Sequence, residues 1–154
     1  MKIRLYKPSD LDDVLKIYYD NVHEVCSQDY TKEQLDAWAP LHPDILRWER
    51  ALNKNHTLVV EDQGCVVGFG DVGETGYIDR LYVKREYLRK GIGSQLVGRL
   101  EKYAKTKGDV FINTAASITS KPFFEALGYQ LIQEQVIERR GIRIRCYLME
   151  KKLV

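Results

Sequence analysis

With 154 residues, a formal net charge of +2 and 30% charged against 44% hydrophobic side chains, the chain fits one globular domain, 1–154, able to bury a core without staples. That balance argues against a nucleic-acid partner, and no apolar run reaches membrane-spanning length or forms a signal-peptide core. Three scattered cysteines, Cys26, Cys65 and Cys146, make no C-x-x-C pair, so neither a disulfide framework nor a zinc site is expected and a reducing cytoplasm fits.

Lys2 to Tyr6 alternates as a strand, and Pro8-Ser9-Asp10 supplies a turn and a helix cap before the apolar series Leu11, Val14, Leu15, Tyr18, Val22 and Val25. Thr31 and Gln34 stand at capping-box spacing ahead of Leu35 and Trp38, and Pro40 stops that short helix. Pro43-Asp44 starts another, with Ile45, Trp48 and Leu52 on one face. Helical spacing turns Trp38 and Trp48 toward the core rather than into a binding slot. Thr57–Glu61 and Cys65–Val72 flank Asp62-Gln63-Gly64 as a hairpin. Gly68-Phe69-Gly70-Asp71-Val72-Gly73 spells G-x-G-x-x-G but runs into another strand and opens no helix, so it is a chance match to the dinucleotide fingerprint.

Tyr77 to Tyr103 is the centre of the chain. Aromatic and β-branched residues from Tyr77 to Val83 suit a buried strand, a basic turn follows, and Gly91-Ile92-Gly93-Ser94 opens a helix that Gly108 ends. Five basic residues and one acid lie between Arg80 and Lys90. Glycines at a helix start let a phosphate reach unpaired N–H groups at the positive end of the helix dipole. The plain alternative is a solvated basic loop before a permissive helix start. Asp109–Ala116 then reads as a strand, Thr119 to Gly128 as a short helix, and Tyr129–Arg139 with Ile142–Lys151 as a closing hairpin around Arg140-Gly141. The order β-α-α-α-β-β-β-α-β-α-β-β predicts a mixed α/β (α+β) fold: a mostly antiparallel, twisted seven-stranded sheet flanked by helices.

This order and two motifs resemble the GNAT superfamily of acetyl-CoA-dependent N-acetyltransferases across essentially the whole chain. Leu81-Tyr82-Val83 followed by Leu88-Arg89-Lys90-Gly91-Ile92-Gly93 is similar to the family's strand and Q/R-x-x-G-x-G/A turn, and Phe123-Phe124-Glu125-Ala126-Leu127-Gly128-Tyr129 to its F-Y-E-x-L-G-F signature. The resemblance implies that acetyl-CoA is the co-substrate, with no metal, and that its pantetheine arm pairs with the backbone of Leu81 and Val83 as an added strand. It also implies that the pyrophosphate rests on the N–H groups of Arg89, Lys90, Gly91, Ile92, Gly93 and Ser94, and that the thioester carbonyl meets the backbone near Leu81. The acetyl group would pass directly to an amine, on a small molecule or a peptide, and a homodimer is left open. A non-catalytic acyl-CoA sensor is the rival reading.

Three positions depart from the family's pattern. Leu88 replaces Gln or Arg, Ser117 stands where many members carry a cofactor-binding Asn, and Phe124 replaces the Tyr proposed to reprotonate the leaving thiolate. Water, Tyr129, Tyr147 or Ser120 are the substitutes for that acid. Asp79 is the candidate base, since strand alternation puts it on a face with Tyr77, Leu81 and Val83; an ion pair with a neighbouring strand, or with Arg143 or Arg145, is the structural alternative. His23, His42 and His56 show no metal spacing, although His23 and Cys26 could border an acceptor pocket in this fold.

Overall fold

The computed structural model describes all 154 residues. Seven strands form one sheet in the order β1-β2-β3-β4-β5-β7-β6: β1 (Lys2–Leu5), β2 (His56–Asp62), β3 (Cys65–Val72), β4 (Tyr77–Val83), β5 (Phe111–Ser117), β6 (Gln130–Arg139) and β7 (Ile142–Lys152). Only β4 and β5 pair in parallel; every other neighbour is antiparallel. Both tight hairpins turn through two left-handed residues, Gln63 with Gly64 and Arg140 with Gly141, the backbone that matches strand twist.

The sheet carries a core on each face. On one side α4 (Ile92–Lys107) and α5 (Lys121–Ala126) pack Leu96, Leu100 and Phe124 against Ile78, Val83, Ile112 and Met149. On the other, α1 (Leu11–Val25), α2 (Lys32–Trp38) and α3 (Ile45–Lys54) pack Val14, Ile17, Val22, Leu35 and Leu52 against Val59, Phe69 and Ile144. Each such aliphatic side chain contributes about 1.5–3 kcal/mol when removed from water. The close pairing with β4 leaves little room at the glycines of β3: a Cβ on Gly68 would lie 3.3 Å from the Tyr82 carbonyl, and one on Gly70 3.0 Å from Leu81 and 3.2 Å from the Arg80 carbonyl, with Ile92 and Leu100 of α4 at contact distance behind them. The G-x-G-x-x-G string is therefore a packing surface inside a strand.

Local signals decide most boundaries. Thr31 and Gln34 form a reciprocal capping box, Gln34 N–H donating to Thr31 Oγ1 at 3.2 Å and Thr31 N–H to Gln34 Oε1 at 3.0 Å. Asp10 behaves otherwise than expected. It makes no side-chain cap on α1, because Arg4 takes both carboxylate oxygens at 2.9 Å and the Lys7 N–H adds a third bond at 2.8 Å. Pro8–Asp10, Cys26–Gln28 and Arg85–Tyr87 form single 3₁₀ turns. On α3 the expected face is graded: Leu52 is buried, Trp48 half-buried and Ile45 exposed. No helix is long and apolar enough to cross a membrane.

Candidate active site

Strands β4 and β5 part company almost as soon as they meet. They pair only at Tyr77 with Asn113 and Ile78 with Thr114, and the Thr114 hydroxyl donates to the Ile78 carbonyl at 2.9 Å, closing the apex. Beyond it β4 stays joined to β3 but has a bare edge toward β5. The Lys84 N–H donates to the Val67 carbonyl at 2.8 Å, so Arg80, Tyr82 and Lys84 turn their backbone groups toward β3. By antiparallel alternation Leu81 and Val83 turn theirs into the gap. The gap is a cavity of about 510 Å³, within the range of small-molecule sites.

A bulge sets that parity. Asp79 is the extra residue between the pairs Asp71–Arg80 and Val72–Ile78. Ile78, Leu81 and Val83 therefore all pack toward α4, and Tyr82 toward α1. The expected common face of Asp79, Leu81 and Val83 fails for this reason. Asp79 lines the cavity, its side chain 43% exposed, with Arg80 Nη1 3.1 Å from its carboxylate. The structural alternative thus has a partner, but it is Arg80; Arg145 pairs with Glu134 instead.

At the other end the cavity reaches the start of α4. Gly91 occupies the N-cap in a left-handed conformation (φ 80°) and no side chain caps the helix, which leaves the first N–H groups, those of Ile92, Gly93 and Ser94, open. A Cβ on Gly93 would come within 3.2 Å of the Phe123 ring, so any side chain there presses that ring aside. Arg89 lines this end; the expected Lys90 does not, its Nζ sitting 5.1 Å over the Tyr87 ring, and Arg85 turns to Glu24 at 3.9 Å. Leu88 lines the cavity and packs on the α4 core, in place of a polar contact.

The wall opposite is built by α1, α2 and the loop after β5: Asn21, Val25, Cys26, Trp38 and Thr119, with Tyr82 from the strand. Trp38 thus faces the cavity rather than only the core. Arg80 lies 4.6 Å over the Trp48 ring and reaches the buried Asp71 at 2.8 Å, where Asn55 donates a further bond at 3.0 Å. Burial pushes the Asp71 carboxyl upward against the pull of Arg80. Burial likewise raises the Tyr82 hydroxyl well above its ordinary range and the Cys26 thiol to about 11, opposed at Cys26 by the Thr119 hydroxyl. At neutral pH both stay protonated, so Cys26 is an apolar wall rather than a nucleophile.

The remaining expected residues fall as follows. Phe124 lines the cavity, buried between Phe123 and Tyr129 with ring centroids 5.1 Å away on either side. Ser117 lines it too, but its hydroxyl is engaged 3.0 Å from Ser120 Oγ, and the Ser117 N–H donates to Ser120. Of the substitute acids, Ser120 faces the cavity; Tyr129 donates to Glu101 at 2.7 Å outside it, and Tyr147 lies under Lys121. His23 does not line it and meets the Ala39 carbonyl at 2.7 Å. Asn21 and Arg80 are the cavity residues that the pattern of apolar positions concealed, since each sits between core residues of its own element. No group of three or more His, Cys, Asp or Glu side chains converges.

The family model for the GNAT acetyltransferase domain matches residues 26–153. The chain belongs to the GNAT acetyltransferase family. Its relatives include an uncharacterized N-acetyltransferase of Escherichia coli, YafP, 36% identical over 152 residues, which are 99% of this chain and 96% of that one. Among solved structures, a GCN5-related N-acetyltransferase from Rhodopseudomonas palustris superposes with a TM-score of 0.95 at 29% identity, covering 98% of this chain and 94% of the other. The PaiA N-acetyltransferase of Thermoplasma acidophilum, solved with coenzyme A, shares the GNAT fold at a TM-score of 0.81 and 19% identity, covering 98% of each chain. As a GNAT protein the chain is an acetyl-CoA-dependent acetyltransferase.

Proposed function

We propose that the cleft takes acetyl-CoA along β4 and passes its acetyl group directly to the amine of a small molecule. The observation that carries this reading is the continuity of one polar surface. The backbone groups of Leu81 and Val83, which have no strand partner on this side, share one cavity with the uncapped N–H groups of Ile92, Gly93 and Ser94. An amide-bearing arm adds to the first as a strand, and a pyrophosphate fits the second. Arg89, Lys90 and Gly91 complete that cradle.

The thioester supplies an activated acetyl carbonyl. In this reading the Leu81 N–H, turned into the gap by the bulge, donates to its oxygen as negative charge develops during attack. The cavity walls hold the amine in line and exclude water, so no enzyme-bound acyl group is required. Asp79, directly or through a water, accepts the proton an alkyl ammonium must shed. Phe124 cannot return a proton to the departing thiolate and serves as an apolar wall beside it. The protonated Tyr82 hydroxyl and the Ser120 hydroxyl are two cavity groups able to donate; a thiol of pKa near about 8.5 is a fair leaving group without them. Ser117, engaged with Ser120, contributes to the pantetheine wall.

The test is a panel of small primary amines with acetyl-CoA, reading free thiol. Amine-dependent release above the hydrolysis background supports transfer. Tight acetyl-CoA binding with no release for any amine class, peptides included, favours the sensor, the reading that Phe124 supports.

A further inference from the structure

Asn21 does something that neither the core nor the chemistry above demands. It sits in the middle of α1 among the core residues Tyr18 and Val22, yet its side chain crosses the cleft and Nδ2 donates to the Val83 carbonyl at 2.7 Å, the short end of the N–H···O range. Val83 is buried, and its backbone groups face the bare side of β4. A buried carbonyl without a strand partner needs a donor from somewhere. The donor supplied is a primary carboxamide, the same chemical group that an arm bearing amides would present to that edge. The Asn21 side chain makes no other protein hydrogen bond, so it is held at this one point.

We propose that Asn21 is a place-holder for the cofactor: its carboxamide occupies the Val83 carbonyl in the free enzyme and is displaced when the amide of the arriving arm takes that bond. The inference rests on the approach of acetyl-CoA along β4 proposed above. The contact also has a positioning consequence. Asn21 ties α1 to β4, and α1 brings Val25 into the cavity wall, with Cys26 in the turn after it. Releasing the tie on cofactor arrival frees that wall to adjust to the acceptor, which orders the two binding events without a separate lid.

Titration calorimetry with acetyl-CoA on the intact chain tests this. Asn21→Ala and the similarly sized Asn21→Leu both remove the competing donor, so each binds acetyl-CoA about two- to tenfold more tightly than the unaltered protein, the range a single neutral hydrogen bond spans. In the unaltered protein, the side-chain NH₂ resonances of Asn21 move toward solvent-exposed values as acetyl-CoA is added. Melting curves confirm that both variants are folded. Unchanged affinity in both means that Asn21 shares the carbonyl rather than yields it, and overturns the place-holder. Weaker binding in both makes Asn21 a direct ligand, and overturns it too. If the unaltered protein shows no heat with acetyl-CoA, the cofactor reading itself fails and takes this inference with it.

Discussion

Asp79 joins the chemistry of the cleft to its geometry at the level of one residue. As a proton acceptor, it predicts that Asp79→Asn keeps acetyl-CoA affinity and loses at least about a hundredfold in turnover at neutral pH, a deficit that shrinks as pH rises toward the amine's own pKa of about 10. A structural Asp79, serving only as a partner for Arg80, predicts a lower melting temperature and a small rate loss that is flat with pH. Turnover and melting measured together across that range separate the two. Phe124 makes a second case: packed between two aromatic rings and unable to move a proton, it predicts that Phe124→Leu changes KM for acetyl-CoA more than kcat. A large fall in kcat at unchanged cofactor affinity would mean that the ring orients the reacting groups. Gly93 is the third. Any side chain there meets the Phe123 ring, so Gly93→Val abolishes acetyl-CoA binding by calorimetry, and normal binding by a folded variant would move the cradle elsewhere.

At the scale of the element, the junction of β1 with α1 depends on one ion pair. Arg4 holds the carboxylate of the buried Asp10 and depresses its pKa below the ordinary 3.8, with burial opposing. Because the folded value is the lower one, the stabilisation is complete above the unfolded pKa and is lost as pH falls through the folded value. Asp10→Asn is therefore expected to lower stability by about 1–3 kcal/mol at pH 7, with the deficit shrinking in acid, below the ordinary 3.8, as pH falls through the depressed folded value. Denaturant melts at neutral pH and in acid check it; a deficit that persists in acid would mean packing rather than charge. Elements with local signatures were legible in the sequence: the capping box at Thr31, the left-handed Gly108 ending α4, and Gln63-Gly64 between β2 and β3. The bulge at Asp79 was not, because no glycine marks it and a regular alternation was assumed through Tyr77–Val83, although Asp79-Arg80 is a polar pair between Ile78 and Leu81. Nor was the exchange at Asp10, which depends on Arg4 arriving from another element.

For the whole molecule, the cleft exists because β4 and β5 separate after two residue pairs, and nothing in either strand's own residues announces that. It follows from where β7 and α4 hold them. The resemblance of Leu81–Gly93 and Phe123–Tyr129 to family signatures predicted the sheet and implied the cofactor contacts proposed along β4 and α4. The opposite wall, with Asn21, Trp38 and Arg80, is assembled from three distant parts of the chain, which only the folded sheet and helices bring together. In the proposed reading, acetyl-CoA is bound by backbone groups on the bare edge of β4 and the uncapped end of α4. Amide hydrogen exchange with and without acetyl-CoA tests it most directly. The account predicts added protection at Leu81, Val83, Gly93 and Ser94, and little change at Arg80 and Tyr82, whose amides already face β3. Protection confined to other segments, with those four amides unchanged under saturating acetyl-CoA, would contradict it.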